Sequence, residues 1–397
     1  LTGALLLFVL SLFVASTLGG EFIPELEEGD FAIDARLMTG STLQETIDAT
    51  TKAVTELKKF PEVKSVVTRV GASEIPTDPM PIEMTDIIVN LKEKSEWTSA
   101  ESYDELANKM SAAIGKVPGL TGGFQYPVQM RFNELIAGVK QDVVCKIFGE
   151  NLDTLATYAA AFEKVIRGVS GAKDVFAERV TGLPQVVIKY KKQAIAAYGL
   201  NISDVNRMLR ASFAGEIAGQ VYENERRFDL VLRLANDRRD DLMDLNQLLL
   251  TTADGQSISL DQVAEVVIEE GPNQIQREDA KRRITIAFNV RDRDVQSVVE
   301  EVQSKINKQI KLPPGYYVQY GGQFENLAEA TNRLMIAVPI ALFLILLILY
   351  FSFGSIRYGL LIYSAIPLSA IGGILFLWLR DMPFSISAGI GFIALFG

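Results

Sequence analysis

The sequence predicts a membrane-anchored α+β protein, and three observations lead there. Apolar residues gather at the two ends of the chain, although 22% of all residues are charged. Between those ends, alternating strand patterns and helical stripes recur twice in the order βαβ–βαβ. A stretch of about a hundred residues interrupts the second recurrence, long enough to be a domain inserted in a loop.

Residues 1–18 carry no charge. At about 1.5 Å per residue they reach roughly 27 Å, near the hydrocarbon thickness of a bilayer. They predict a transmembrane helix over 1–20. The competing reading is a secretory signal, but no Met or basic leading region precedes the apolar run. Phe31, Ile33, Ala35 and Leu37 then alternate with Ala32, Asp34 and Arg36 as a strand. Thr42 and Glu45 have capping-box spacing ahead of the stripe Leu43, Ile47, Val54 and Leu57. Strands follow near Val63–Val70 and Asp86–Leu91, separated by a Pro-rich loop, Ile75 to Pro81. A helix over 101–115 and an extended piece at Gly122–Tyr126 complete a first module, 30–140.

The stretch from Gln125 to Gly149 joins the two halves. It opens as an irregular Pro-containing segment that places Arg131, Asn133 and Glu134 together before Gly138. It then enters a strand in which Val143, Cys145 and Ile147 alternate with Val144, Lys146 and Phe148. A seam between domains is a preferred place for a ligand cleft. The second module, 141–181 and 271–325, repeats the first: strand 143–148, helix 152–167, strand 172–178, strand Ile284–Val290, helix 295–310 and strand Tyr316–Tyr320. Both modules read as ferredoxin-like split βαβ units. In the insert, 182–270, Gln185–Tyr190 and Phe228–Leu234 read as strands, Ser203–Ala211 as a helix, and Asp254-Gly255 as a hairpin turn.

Transmembrane helices are predicted at 334–353 and 359–379, and the start of another at 386–397. Arg357, in a short loop Ser352–Tyr358, places that loop in the cytoplasm and the polar module on the other side. The abrupt apolar ends predict a piece of a longer membrane protein. No ionisable residue lies within an apolar run, so an intramembrane proton relay is expected outside this stretch.

Composition excludes several functions. A net charge of −10 argues against nucleic acid as a partner. One cysteine and no histidine leave no internal disulfide, thiolate cluster, imidazole site or His-based triad. Neither a nucleophile–base pairing nor a catalytic metal motif is visible, so no enzyme and no cofactor are predicted.

Several long segments, in order, resemble the heavy-metal efflux branch of the resistance–nodulation–division transporters. They are Gly20-Glu-Phe-Ile-Pro-Glu-Leu-Glu-Glu-Gly-Asp30, Met130-Arg-Phe-Asn-Glu-Leu-Ile-Ala-Gly138, Arg226-Arg-Phe-Asp-Leu-Val-Leu-Arg233, the run from Pro314 to Glu325, and Gly391 to Gly397. The resemblance implies that 1–20 is the seventh membrane helix of a twelve-helix proton–cation antiporter. The modules would be periplasmic porter subdomains, the insert a docking subdomain, and 334 onward helices eight, nine and early ten. It implies a homotrimer in a bacterial inner membrane, working with a periplasmic adaptor and an outer-membrane channel.

Relatives that export monovalent copper and silver carry cleft methionines. Alignment on the flanking glycines puts Glu134, Ile217 and Asp254 at those positions. Carboxylates suit harder divalent ions, so the implied cargo is zinc, cobalt, nickel or cadmium. Glu134 is the leading candidate ligand, its other reading being an ion pair with Arg131 or Lys140. Asp254 is also explained by its turn. Glu216, flanked by Gly215 and Gly219, is a third candidate or an exposed loop acid. Met130 and Met208 read as packing residues. Two other functions compete: an exporter of organic compounds, which needs an apolar cleft lined by Phe and Tyr, and a membrane-anchored binding or sensor module, which needs only one span.

Overall fold

The computed structural model describes the chain except residues 1, 25–26, 73–79, 181, 236–244, 253, 273, 381 and 397. Most of the Pro-rich loop Ile75 to Pro81, and Asp381 in the turn before the last span, therefore lie outside the described residues. The chain divides into two compact units, Leu1–Thr181 with Asn273–Gly397, and Gly182–Pro272.

The first unit holds two antiparallel sheets. In the first, Val63–Val70, Met84–Leu91, Asp30–Arg36 and Thr121–Gln125 lie side by side in that order. Helices Leu43–Leu57 and Tyr103–Ile114 cover one face. The capping box forms: the Glu45 N–H donates to Thr42 Oγ1 at 3.2 Å and the Thr42 N–H to Glu45 Oε2 at 2.8 Å. Ser102 caps the second helix through the Glu105 N–H. Phe31, Ile33, Ala35, Ile87 and Val89 meet Leu57, Leu106, Met110 and Ile114 in one apolar core. Alternation predicts that core face. The opposite face of Asp30–Arg36 is buried as well, including Asp34 at 3% exposure.

The second sheet orders Ala172–Ala177, Lys281–Val290, Val143–Phe148 and Tyr317–Gly322, with the short strand Arg277–Glu278 also on Lys281–Val290. Its helices are Leu152–Arg167, capped by Asn151, and Val295–Gln309, capped by Asp294. Val143, Cys145 and Ile147 pack with Phe162, Phe288, Val299 and Val302 in a second core. Numbered within each sheet by chain order, both have the order 2-3-1-4.

The second unit has a core of its own around Ile195, Val205, Leu209, Leu250, Ile258, Leu260 and Val263. Leu183–Tyr190 pairs with Ala264–Gly271, and Leu249–Thr251 with Ser257–Ser259. Glu216–Glu223 and Arg226–Leu232 form a hairpin whose residues are almost all exposed.

Among the described residues, two helical stretches are long and apolar enough to cross a membrane, Gln323–Phe353 and Ile356–Leu379. Shorter apolar helices lie at Thr2–Ala15 and Ile386–Phe396. Several boundaries differ from the sequence reading: the helix expected over 1–20 ends at Ala15, and the span expected at 359–379 is divided at Ser364. The span expected at 334–353 is the end of one continuous helix that begins at Gln323, because the polar turn from Glu325 to Arg333 is as helix-compatible as the apolar run. The loop expected at Ser352–Tyr358 shrinks to Gly354, which closes the helix with a left-handed φ of 62°, and Ser355. Arg357 lies in the next helix, Ile356–Tyr363.

Candidate functional site

The seam begins with a correction. The stretch after Tyr126 is not irregular but a helix, Pro127–Ala137. Proline at the first helical position lacks only an N–H that would have no helical partner, so it starts the helix rather than breaking it. Gly138, with φ at 70°, ends it by donating its N–H to Glu134 O at 2.9 Å.

The seam between the two sheets is polar. Lys140 Nζ donates to Asp86 Oδ1 at 2.7 Å and lies 3.7 Å from Asp34 Oδ1. Gln141 donates to Asp34 Oδ2 at 2.9 Å, and Arg36 reaches the same oxygen at 2.7 Å. Burial tends to raise the Asp86 pKa, but Lys140 and Arg69 outweigh it and hold the carboxyl below its ordinary range. Asp174 accepts from the Phe124 N–H at 3.0 Å and pairs with Arg291, and Asn289 donates to Phe124 O at 3.1 Å.

Behind the seam lies Asp142, fully buried. Its Oδ1 accepts from Gln125 at 3.1 Å, Gln129 at 2.9 Å, Asn133 at 3.2 Å and Gln323 at 3.0 Å, and its Oδ2 from the Val290 N–H at 3.2 Å. Burial pushes its pKa up, while these donors and Arg291 pull it down.

A cavity of about 350 Å³ opens in the seam, lined among others by Met80, Met84, Glu134, Lys140, Glu178 and Arg283. An adjoining cavity of about 160 Å³ shares Arg36, Met84 and Glu178 and extends to Met38. Glu178 is buried and accepts from Gln274 at 2.7 Å and from the Thr285 N–H at 3.2 Å. Burial raises its pKa against the pull of those donors and of Arg283 and Arg36. Arg36 also lies 3.8 Å over the Phe176 ring.

Glu134 faces this cavity and is held by Arg131 at 2.6 Å, the ion pair that was its alternative reading. Asp254 and Glu216 belong to the other unit. Asp254 is exposed in the turn beside Gly255, whose φ of 79° explains the glycine, and Glu216 is exposed at the start of its hairpin. Among the described residues no three His, Cys, Asp or Glu side chains group as a metal site. The seam can therefore offer a cation two carboxylates, Glu134 and Glu178, with amide oxygens, thioethers and water. Arg36, Lys140 and Arg283 share the space, so a bound cation would displace or repel existing ion pairs. Met130 is buried at 5% exposure, and Met208 packs against the core of the second unit. Sequence reasoning missed Glu178, Met80 and Met84. Their positions carry no local pattern, and only sheet assembly brings them to Glu134.

A family model described as the AcrB/AcrD/AcrF family matches residues 1–397. The chain is 41% identical over 404 aligned residues to "Cation efflux system protein CzcA" of Alcaligenes sp. (strain CT14), covering 100% of the chain and 38% of the relative. It is also 41% identical, with the same coverage, to "Cobalt-zinc-cadmium resistance protein CzcA" of Cupriavidus metallidurans. A crystal structure described as a heavy metal efflux pump superposes with a TM-score of 0.93 at 32% identity, covering 99% of this chain and 40% of the other. The chain thus spans about two fifths of the length of the relatives it matches.

Proposed function

Because this chain belongs to the AcrB/AcrD/AcrF family, we propose that it is part of a proton-driven exporter of divalent heavy-metal cations. The two sheets with their helices are then ferredoxin-like porter subdomains, a reading supported by their shared strand order. The unit Gly182–Pro272 is the docking subdomain. The protein sits in a bacterial inner membrane with the sheets in the periplasm, as a homotrimer joined to an adaptor and an outer-membrane channel, a reading supported by the family and by the apolar helices. The exposed apolar hairpin, with Val221, Phe228 and Leu230, supports contact with a neighbouring copy.

The observation that carries the substrate reading is the seam cavity with Glu134 and Glu178 on its walls. Two carboxylates neutralise a divalent ion, and the remaining positions are left to amides and water. Such a partly hydrated site releases its ion readily, as export requires. Glu134 is the principal ligand and Glu178 its partner in the same cavity, while Asp254 and Glu216, exposed on the other unit, have no structural observation behind them as ligands. Export of monovalent copper or silver is the second reading, favoured by the thioethers of Met80 and Met84 in the same cavity.

The test is a resistance and metal-uptake comparison in an exporter-deficient strain carrying the full-length transporter. Glu134→Gln keeps the shape and removes the charge; a tenfold or greater loss of zinc, cobalt or cadmium export is expected at unchanged expression, about 1.4 kcal/mol or more of binding. Normal resistance in this variant removes Glu134 as a ligand. Stronger protection by the wild type against copper or silver than against zinc replaces the divalent assignment with the second reading.

A further inference from the structure

The exit of the first apolar helix meets four other elements at one point. Gly20 and Glu21 pair in parallel with Phe384 and Ser385, and the Phe384 N–H donates to Gly19 O at 2.7 Å. Gly20 lies against Leu327 of the long helix and the Gln296 side chain of helix Val295–Gln309. Phe22 stacks on Phe132 of the seam helix, their ring centres 6.4 Å apart. Asp294, the cap of helix Val295–Gln309, stands on the remaining side.

Into this point projects Glu21, largely buried, its side-chain carboxyl without a hydrogen bond or ion pair among the described residues. The groups that bear on it are both acids, Asp142 and Asp294. Asp294 is already bonded to the Ser297 N–H at 2.8 Å. The strand Phe384–Ser385 brings no charge, and on the seam helix Arg131 and Glu134 pair with each other. Glu325 opens the long helix, while Arg291 bears on Asp142 and is paired with Asp174.

Asp142 ties two of these elements, the seam helix and the long helix, to the second sheet. Its side chain binds the seam helix through Gln129 and Asn133, the second sheet through the Val290 N–H, and the long helix through Gln323. Its backbone carbonyl also accepts from the Gln323 N–H at 2.9 Å. We propose that Asp142 and Glu21 form a proton-sensitive joint between the membrane helices and the two sheets, Asp142 holding the arrangement and Glu21 loosening it when ionised. Both are positioning residues and touch no cargo.

The direction follows from the surroundings. Burial, then Asp142 and Asp294, raise the Glu21 pKa from 4.5 to about 7. The folded joint thus binds this proton more tightly than an open chain does. No penalty exists below the ordinary value of 4.5; it grows as pH rises toward about 7 and is complete above that. The joint is tightest under acidic conditions. If the protein exports cations in exchange for protons, as proposed above, this places a second proton-dependent step at the periplasmic end of the membrane helices.

The experiment is hydrogen–deuterium exchange on the full-length transporter in lipid nanodiscs without metal, so its outcome does not depend on the cargo. The reporters are the amides of Val290, Gln323 and Phe384. After correction for intrinsic exchange, the wild type should open about fivefold or more faster at about pH 8 than at about pH 5.5. Glu21→Gln should stay protected at both, and Glu21→Asp should restore the pH step. Equal protection of the wild type at both pH values overturns the proposal, even if the variants fail to fold. Retention of the step in Glu21→Gln assigns it to another group and overturns it as well.

Discussion

Gly322 is where the second sheet hands over to the long apolar helix, and replacing it with alanine tests the architecture of that joint. Its φ and ψ are 87° and −149°, a region open essentially to glycine alone. Forcing alanine into it costs about 1–3 kcal/mol. A second cost comes from space. A Cβ there would overlap the carbonyl oxygen of Asp142 and stand 3.2 Å from its carbonyl carbon and 3.3 Å from Val143 Cα. These are backbone atoms, and the carbonyl is engaged by the Gln323 N–H while the Asp142 side chain is held by five donors. Relief therefore requires moving a buried network, and a total of about 3 kcal/mol or more is expected, in the range of severe core substitutions.

Gly315→Ala supplies the control. Gly315 also has a left-handed φ, 85°, but nothing lies within 4 Å of its Cβ position. It carries the backbone strain, about 1 kcal/mol, without the overlap. The difference between the variants, about 2 kcal/mol, corresponds to roughly 3–5 °C in apparent Tm for a unit of this size. Thermal unfolding of the purified full-length proteins, followed by tryptophan fluorescence, reads it. Loss of folded Gly322→Ala while Gly315→Ala folds agrees with the reasoning. Unfolding of the two variants within about 1 °C of each other would refute it, because the Asp142 carbonyl would then be free to yield.

Two further outcomes are expected. Cys145 is fully buried in the centre of the second sheet, where burial pushes its thiol pKa well above the ordinary range, so iodoacetamide should label it only after denaturation; rapid labelling of the native protein would contradict its place in that sheet. Phe228→Asp combined with Leu230→Asp should weaken the trimer of the full-length transporter in native mass spectrometry while leaving membrane insertion intact, because both side chains are exposed on the hairpin; an unchanged trimer would place the subunit contacts elsewhere.

The elements legible in the sequence are those whose signal is local. The helix Leu152–Arg167 occurs where its stripe of Leu155, Ala159 and Phe162 places it, and the Thr42–Glu45 cap forms as its spacing implies. The helix Pro127–Ala137 was obscured because its first residue is proline and its apolar face is weak, so that propensity and pattern disagreed. Glu134 was found through a resemblance carried by its flanking glycine. Glu178 was not, since it lies just beyond the end of Ala172–Ala177 and gains meaning only beside Gln274 and Thr285. Asp142 left still less trace: its donors run from Gln125 to Gln323, and nothing near position 142 announces them.

Asp34 shows why this loss of legibility has a physical cause. Alternation assigns it, with Ala32 and Arg36, to a solvent face, yet it is 3% exposed. The face is covered by Lys140 and Gln141, so the surface that a single sheet would give to water is given instead to a polar seam. Sequence patterns distinguish apolar from polar positions, and a polar seam has the signature of a surface. The same chemistry bears on function. Two modules joined through apolar area would expose it on separation, at about 25 cal/mol for each Å². Hydrogen bonds exchanged for water return most of their strength, leaving about 0.5–1.5 kcal/mol net for each. Each sheet retains its own sealed apolar core, one around Phe31 and Leu106 and the other around Phe162 and Phe288. A seam of this kind can open and close at modest cost, with neither core disturbed.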